Sequence, residues 1–164
     1  MQWTETLPDP ARRADGSAQD AHFRALEKLY RAAPVNKLFE SQLEIIGEGQ
    51  ARITFQTNER YFHAAGATHG TMYFKMLDDA AFYAANSMVS DRFLLTTGFN
   101  LHFTKPLRTG RVIAEGKWIS GKRRVFIAEA HLMDEEGDEI GRGTGTFMRS
   151  HIPLSGLDGY RQAD

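Results

Sequence analysis

The stretch HAAGATHGTMYFKMLDDAAFYAANSMV, residues 63–89, decides how this chain folds. It opens as a glycine-containing loop, HAAGATHG. From Thr71 it continues as a helix through Met88 and Val89, with apolar residues nearly all round the wheel. A helix without a broad polar face must be buried by other elements. The remaining segments therefore have to supply its cover.

On the N-terminal side, Ala51, Ile53 and Phe55 alternate with Arg52, Thr54 and Gln56, the pattern of a half-buried strand. A strand-like run through Leu43, Ile45 and Ile46 precedes it, with Gly47 and Gly49 marking the turn. Further back, Phe23, Leu26, Leu29 and Tyr30 recur at helical spacing. A helix from Ser17 to Ala33 follows, with Ser17 as its cap and Pro34 at its end. On the C-terminal side, Phe99, Leu101 and Phe103 alternate with Asn100, His102 and Thr104. Strands over 111–120, 124–133 and 139–149 come next, broken at Gly121-Lys122 and at Asp134–Asp138. Four meandering strands thus follow the helix. The last, IGRGTGTF, is rich in glycine, which marks close approach by a neighbouring group. Strands packed on one central helix make an α+β layer architecture.

Composition bounds the rest. At 164 residues the chain has the length of one domain. A net charge of −1 advertises neither nucleic acid nor an anionic membrane as a partner. The absence of cysteine removes disulfides, thiolate metal sites and thiol nucleophiles, and fits a reducing, cytoplasmic setting. No run of 18 apolar residues is present. The opening MQWTETLPDPARRADGSAQD is polar, holds two prolines and lacks the apolar core of a signal peptide. It reads as a loose arm. The organisation expected is an arm and helix over 1–35, a domain over 36–150 and a mobile tail over 151–164. No histidine forms a ligand spacing, so no metal is expected, and no phosphate loop, dinucleotide fingerprint or serine-hydrolase elbow calls for a cofactor or that chemistry.

The chemistry-bearing features lie on the central helix. A helix start preceded by a glycine-containing loop offers unpartnered amides and the positive dipole end. Here that start is Thr68-His69-Gly70-Thr71, and Gly70 lets a substrate approach the backbone. Asp78 and Asp79 follow, about 100° apart on the wheel. Asp79 is spaced i, i+4 from Lys75, as a structural ion pair would be. Asp78 lies off that stripe, beside Thr71 and Phe82, where a carboxylate must be paired, protonated or functional. Gly70 and Asp78 are about 12 Å apart along the helix. One carbonyl cannot meet both ends, so a joint role requires two copies of the chain in an isologous dimer.

HGTMYFKMLDDAAFYAANS resembles the helix motif of hotdog thioesterases of the phenylacetate-degradation (PaaI-like) type, HGG with an aspartate nine positions after the histidine. His69 and Asp78 have that spacing. LLTTGFNLHFTKPLRTG and RGTGTFMRS extend the likeness over roughly residues 38 to 150. The resemblance implies a hotdog fold of five or six antiparallel strands around the helix. It implies homodimers, commonly paired into tetramers, and hydrolysis of acyl-CoA. It implies Asp78 as base or nucleophile, the Gly70 amide polarising the thioester carbonyl, Thr96 placing the water or the carboxylate, and His69 mainly shaping the loop. Thr71 stands where the family has a second glycine, and His63 where it often has asparagine or glutamine to hold the lytic water. Histidine can donate or accept there. Because CoA carries phosphates, Lys105, Arg108, Lys122, Arg123 and Arg124 are candidate substrate contacts. The alternative expectation is a non-catalytic module that binds acyl-CoA or another acyl ligand.

Overall fold

The computed structural model describes residues 17–161. Residues 1–16 of the expected N-terminal arm lie outside them. Helix α1 spans Ala18–Ala32, and the Ser17 side chain accepts the Asp20 N–H at its start. A 3-10 turn over Pro34–Leu38 leads into β1 (Ser41–Gly47) and β2 (Gln50–Thr57). Helix α2 spans Gly70–Asn86. Strands β3 (Arg92–Phe103), β4 (Gly110–Ser120), β5 (Val125–Met133) and β6 (Glu139–Pro153) follow. All pairings are antiparallel, in one six-stranded sheet of order β1-β2-β4-β5-β6-β3. This is the hotdog arrangement, with an added N-terminal helix. Among the described residues, no helix is long and apolar enough to cross a membrane.

The wrapping follows from the apolar surface of α2. Met76, Leu77, Ala80, Ala81, Ala84 and Ala85 are almost wholly buried, as are Ile53, Phe55, Ala114, Phe126, Ala128 and Phe147 on the facing strands. Small residues on the helix let the sheet come close. At Gly116 on β4 the approach is limiting: a Cβ there would lie 2.0 Å from the Ala80 carbonyl oxygen. Helix α1 covers the outer edge of β1. Glu27 accepts the Ile45 N–H at 2.8 Å, and Arg24 donates to the Ile45 carbonyl at 3.2 Å. These side chains satisfy an edge strand that would otherwise present open backbone groups.

Three expectations are corrected. The central helix stops at Asn86 rather than continuing to Val89. The Asn86 amide donates to the Val89 and Arg92 carbonyls and accepts from Leu94 N–H, so its side chain organises the turn into β3. The four strands after α2 do not form one meander. Strands β4, β5 and β6 do, but β3 lies beyond β6, and β4 pairs with β2 instead. The tail is not a loose end as far as residue 161. Strand β6 runs on to Pro153, Leu154 is fully buried, and the Tyr160 hydroxyl lies 2.7 Å from His22 Nδ1. The other His22 nitrogen bonds the Asn86 carbonyl, tying α1, the end of α2 and the tail together.

Candidate active site

The loop before α2 is held at both ends. Thr68 N–H donates to the Leu107 carbonyl, and its hydroxyl bonds both the Arg108 carbonyl and the buried Thr57 hydroxyl. His69 N–H donates to Tyr61 O. Residue 69 is the cap of α2. Its Nδ1 accepts the Thr71 N–H at 3.0 Å and lies 2.9 Å from the Thr71 hydroxyl. That bond satisfies the second amide of the helix and fixes Nδ1 as an acceptor. The Gly70 N–H, one residue earlier, has no acceptor among the described residues. It is an outward-facing donor at the positive end of a 17-residue helix.

Gly70, Phe74, Asp78 and Phe82 recur every four residues and line one stripe of α2. Strand β3 runs antiparallel beside that stripe. Phe103 presses on Gly70, where a Cβ would lie 2.7 Å from its ring, and packs edge-on against Tyr73 at 5.1 Å. Phe99 packs edge-on against Phe74 at 5.7 Å. Thr96 donates its hydroxyl to Asp78 Oδ1 at 3.0 Å. Phe93 meets Phe82 at 5.0 Å. The glycines of β6 are the floor of this seam. A Cβ at Gly143 would lie 2.3 Å from the Phe99 ring, and one at Gly145 2.8 Å from it. The neighbour announced by the glycine-rich strand is thus an aromatic ring.

The Asp78 carboxyl is pushed up to about 6, first by burial. The Thr96 hydrogen bond and Lys75 pull it down, and the charge of Asp79 pushes it up. Burial also raises Asp79, which Lys75 opposes through an ion pair. A carboxyl poised near neutrality can take a proton from water at physiological pH.

The other expected site residues are placed as follows. His63 Nδ1 accepts the Ala65 N–H at 3.0 Å, so its side chain closes the turn of its own loop. Arg108 braces that loop by donating to the Gly66 carbonyl. Lys105 sits among three carboxylates of the β5–β6 turn, 2.7 Å from Asp134, 2.8 Å from Asp138 and 3.5 Å from Glu136. The structure gives it acidic partners rather than an open face. Lys122 lies 5.9 Å from the Trp118 ring, and Arg123 and Arg124 are exposed at the β4–β5 hairpin. That hairpin is at the Thr96 end of β3, because Val125 pairs with Met148 and Met148 with Leu95. The structure therefore joins Thr96 to Asp78 and His69 to Gly70 and Thr71, and leaves the two groups at opposite ends of one seam. Phe99 and Phe103 enter the sequence reading only as apolar strand positions, and Phe74 only as part of the helix. The four-residue spacing from Gly70 to Asp78 contained the signal for Phe74 alone.

Residues 65–140 match the Thioesterase superfamily. The protein named "Putative esterase SSO1253" of Saccharolobus solfataricus is 24% identical over 123 residues, which are 75% of this chain and 82% of that one. The structure of the Escherichia coli PaaI protein, from the phenylacetic acid degradation operon, superposes with a TM-score of 0.76 at 16% identity, covering 84% of this chain and 99% of that one. A Streptococcus mutans protein bound to acetyl CoA has a TM-score of 0.58 at 14% identity, covering 63% of this chain and 82% of that one. By sequence, residues 65–140 are similar to the thioesterase superfamily, and by architecture the chain has the hotdog fold of the PaaI protein.

Proposed function

We propose that the chain hydrolyses acyl-CoA thioesters in two identical sites formed between two copies. The observation that carries this reading is the pairing of landmarks along the α2–β3 seam: Thr96 on Asp78 at one end, Phe103 on Gly70 at the other. The acetyl CoA held by the structurally similar Streptococcus mutans protein supports the choice of substrate class.

Strand β3 is an edge strand, with its outer side unpaired among the described residues. Its seam exposes unusual apolar surface, with Phe103 56% and Phe74 39% accessible. A long, apolar, unpaired edge is a template for strand addition. Antiparallel addition of a second β3 sets Thr96 of one copy opposite Phe103 of the other when the two-fold passes through Asn100. The count allows for the bulge between Thr96 and Gly98: on β6 the partners of Thr96, Asn100 and Phe103 are Phe147, Thr144 and Gly141, evenly spaced. This register carries Asp78 of one copy to Gly70 of the other and removes the 12 Å separation within the chain, about the length of eight helical residues.

In the assembled site the Gly70 N–H donates to the thioester carbonyl oxygen. The Asp78 carboxylate of the other copy, oriented by Thr96, takes a proton from water as the water oxygen attacks the carbonyl carbon. The oxyanion of the tetrahedral intermediate is held by the same N–H. Collapse breaks the C–S bond, the proton passes to the sulfur, and acid and CoA leave. Direct attack by Asp78 through an acyl anhydride uses the same geometry. Arg123 and Arg124 lie at the rim nearest Asp78, where CoA phosphates would sit.

Thiol release from a panel of aryl, short-chain and long-chain acyl-CoAs tests the reading. Wild type should turn over at least one, and Asp78→Asn should lose about 10²–10⁴ of kcat on it. Tight binding with no thiol release from any member would establish a binding module instead.

A further inference from the structure

Lys75 is the single cation on α2, and two carboxylates compete for it. Asp78 stands three residues on and Asp79 four, and both spacings bring side chains into reach on a helix. The structure gives Lys75 to Asp79 and leaves Asp78 to Thr96. The i, i+4 spacing on α2 favours Asp79. The N-terminal segment adds a second hold on the lysine. Asn36, in the 3-10 turn after α1, accepts from Lys75 Nζ on Oδ1 at 2.6 Å. Its own amide donates to the Tyr30 carbonyl at 2.8 Å, which fixes the oxygen toward the lysine. The rings of Tyr30 and Phe39 flank the ammonium at 5.6 and 5.2 Å. Both lie in the part of the chain that precedes residues 65–140, the span of the superfamily match.

We infer that Asn36 is a positioning residue for the proposed reaction: it anchors Lys75 on Asp79 and thereby keeps Asp78 out of a direct ion pair and able to act on water. The inference rests on the reading of Asp78 as the reacting carboxylate. The charged and polar groups that bear on Asp78 are Lys75 and Asp79 from α2 and Thr96 from β3. Releasing Lys75 from Asn36 lets it turn to the neighbouring carboxylate. An ion pair there favours the charged form of Asp78 and holds it in a contact that water must displace.

The test compares Asn36→Ala, Asn36→Asp and Asn36→Ala/Lys75→Met with wild type in the full-length protein. The Asp78 carboxyl titration is followed by carbon NMR, and kcat is measured across pH. In Asn36→Ala the Asp78 midpoint should fall by about one unit, and kcat should drop several-fold. Asn36→Asp loses the bond to Tyr30 but keeps an oxygen for Lys75, and should stay near wild type. The double variant has no lysine to turn, and its midpoint should return to the wild-type value or higher. An unchanged Asp78 midpoint in Asn36→Ala, or Asn36→Asp behaving like Asn36→Ala, would overturn the inference. Because the NMR midpoint does not depend on turnover, these failures are distinct from failure of the catalytic reading, which Asp78→Asn tests by itself. Should Asn36→Ala not fold, Asn36→Ser carries the same comparison.

Discussion

Thr96 reaches across from an edge strand to bond Asp78 Oδ1 at 3.0 Å, and this bond is the polar contact that joins β3 to the proposed reacting group. It orients the carboxylate along the seam. It also lowers a titration that burial raises, so the Asp78 carboxyl settles at about 6.

The rate should follow that value. A base must be ionised to act, so kcat/KM should rise with pH through a single acid limb centred near 6. Replacing Thr96 with valine removes the lowering hydrogen bond and should move the limb upward. A limb that stays in place or moves downward in Thr96→Val would detach this hydrogen bond from the chemistry.

Stability should respond in the opposite sense. The folded carboxyl titrates at about 6, above its ordinary 3.8. The folded protein therefore holds the proton more tightly than the unfolded chain. The associated stability is full below pH 4 and is lost as pH rises through 6. The neutral amide of the Asp78→Asn variant has no charge to gain over that range. That variant should exceed wild type by about 1 kcal/mol at pH 7.5, after allowance for partial solvent screening, and match it at pH 4. Urea unfolding at the two pH values measures this. Equal stability at pH 7.5 would contradict the raised titration.

Gly70 can be tested without confusing its amide with its size. Residue 70 is the first residue of α2, where proline is tolerated, and His69 already has the extended backbone that a following proline demands, with ψ 142°. Gly70→Pro removes the N–H, while Gly70→Ala keeps it and meets the same Phe103 ring. That ring is 56% exposed and able to turn aside. Alanine should cost little stability and a few-fold in kcat. Proline should cost about 10²–10³ in kcat. Equal losses in the two variants would remove the amide from the mechanism.

The chain has no cysteine, so a single introduced thiol reports on pairing without background. With the two-fold at Asn100, the two copies of that residue face each other with Cβ atoms about 5 Å apart. Asn100→Cys should give a disulfide-linked dimer on oxidation. His102→Cys, two residues away from the axis, should give much less. Comparable cross-linking of the two variants on a non-reducing gel would refute the register.

At Gly116 the expectation is purely structural. Its missing Cβ is what lets Ala80 sit on the sheet, and the nearest atoms are helix backbone that cannot rotate away. Gly116→Ala should destabilise by more than about 3 kcal/mol. Denaturation within about 1 kcal/mol of wild type would show that the helix has room to lift.

The parts of this molecule that read well from sequence are those set by local spacing. The cap at Ser17, the alternation of β2 and the stripe shared by Lys75 and Asp79 each depend on residues a few positions apart. Asp78 was separable from Asp79 for the same reason. What did not read are contacts between distant segments. Strand β3 has the alternation of any strand, and nothing in it announces a place beyond β6 rather than beside β4. Lys105 looks like a free cation until the turn at Asp134–Asp138 folds back onto it. The tail has no period because its hold is a buried leucine and one tyrosine that meets His22, 138 residues away. The second hold on Lys75 comes from Asn36, 39 residues earlier.

The central claim is that each site takes Asp78 from one copy and Gly70 from the other. Mixing Asp78→Asn with Gly70→Pro, each nearly inactive alone, tests it most directly. After unfolding and refolding together, half of the dimers are hybrids, and one of the two sites in each hybrid holds both intact groups. Thiol release should recover to about one quarter of the wild-type rate. A mixture no more active than its separate components would contradict a site shared between subunits.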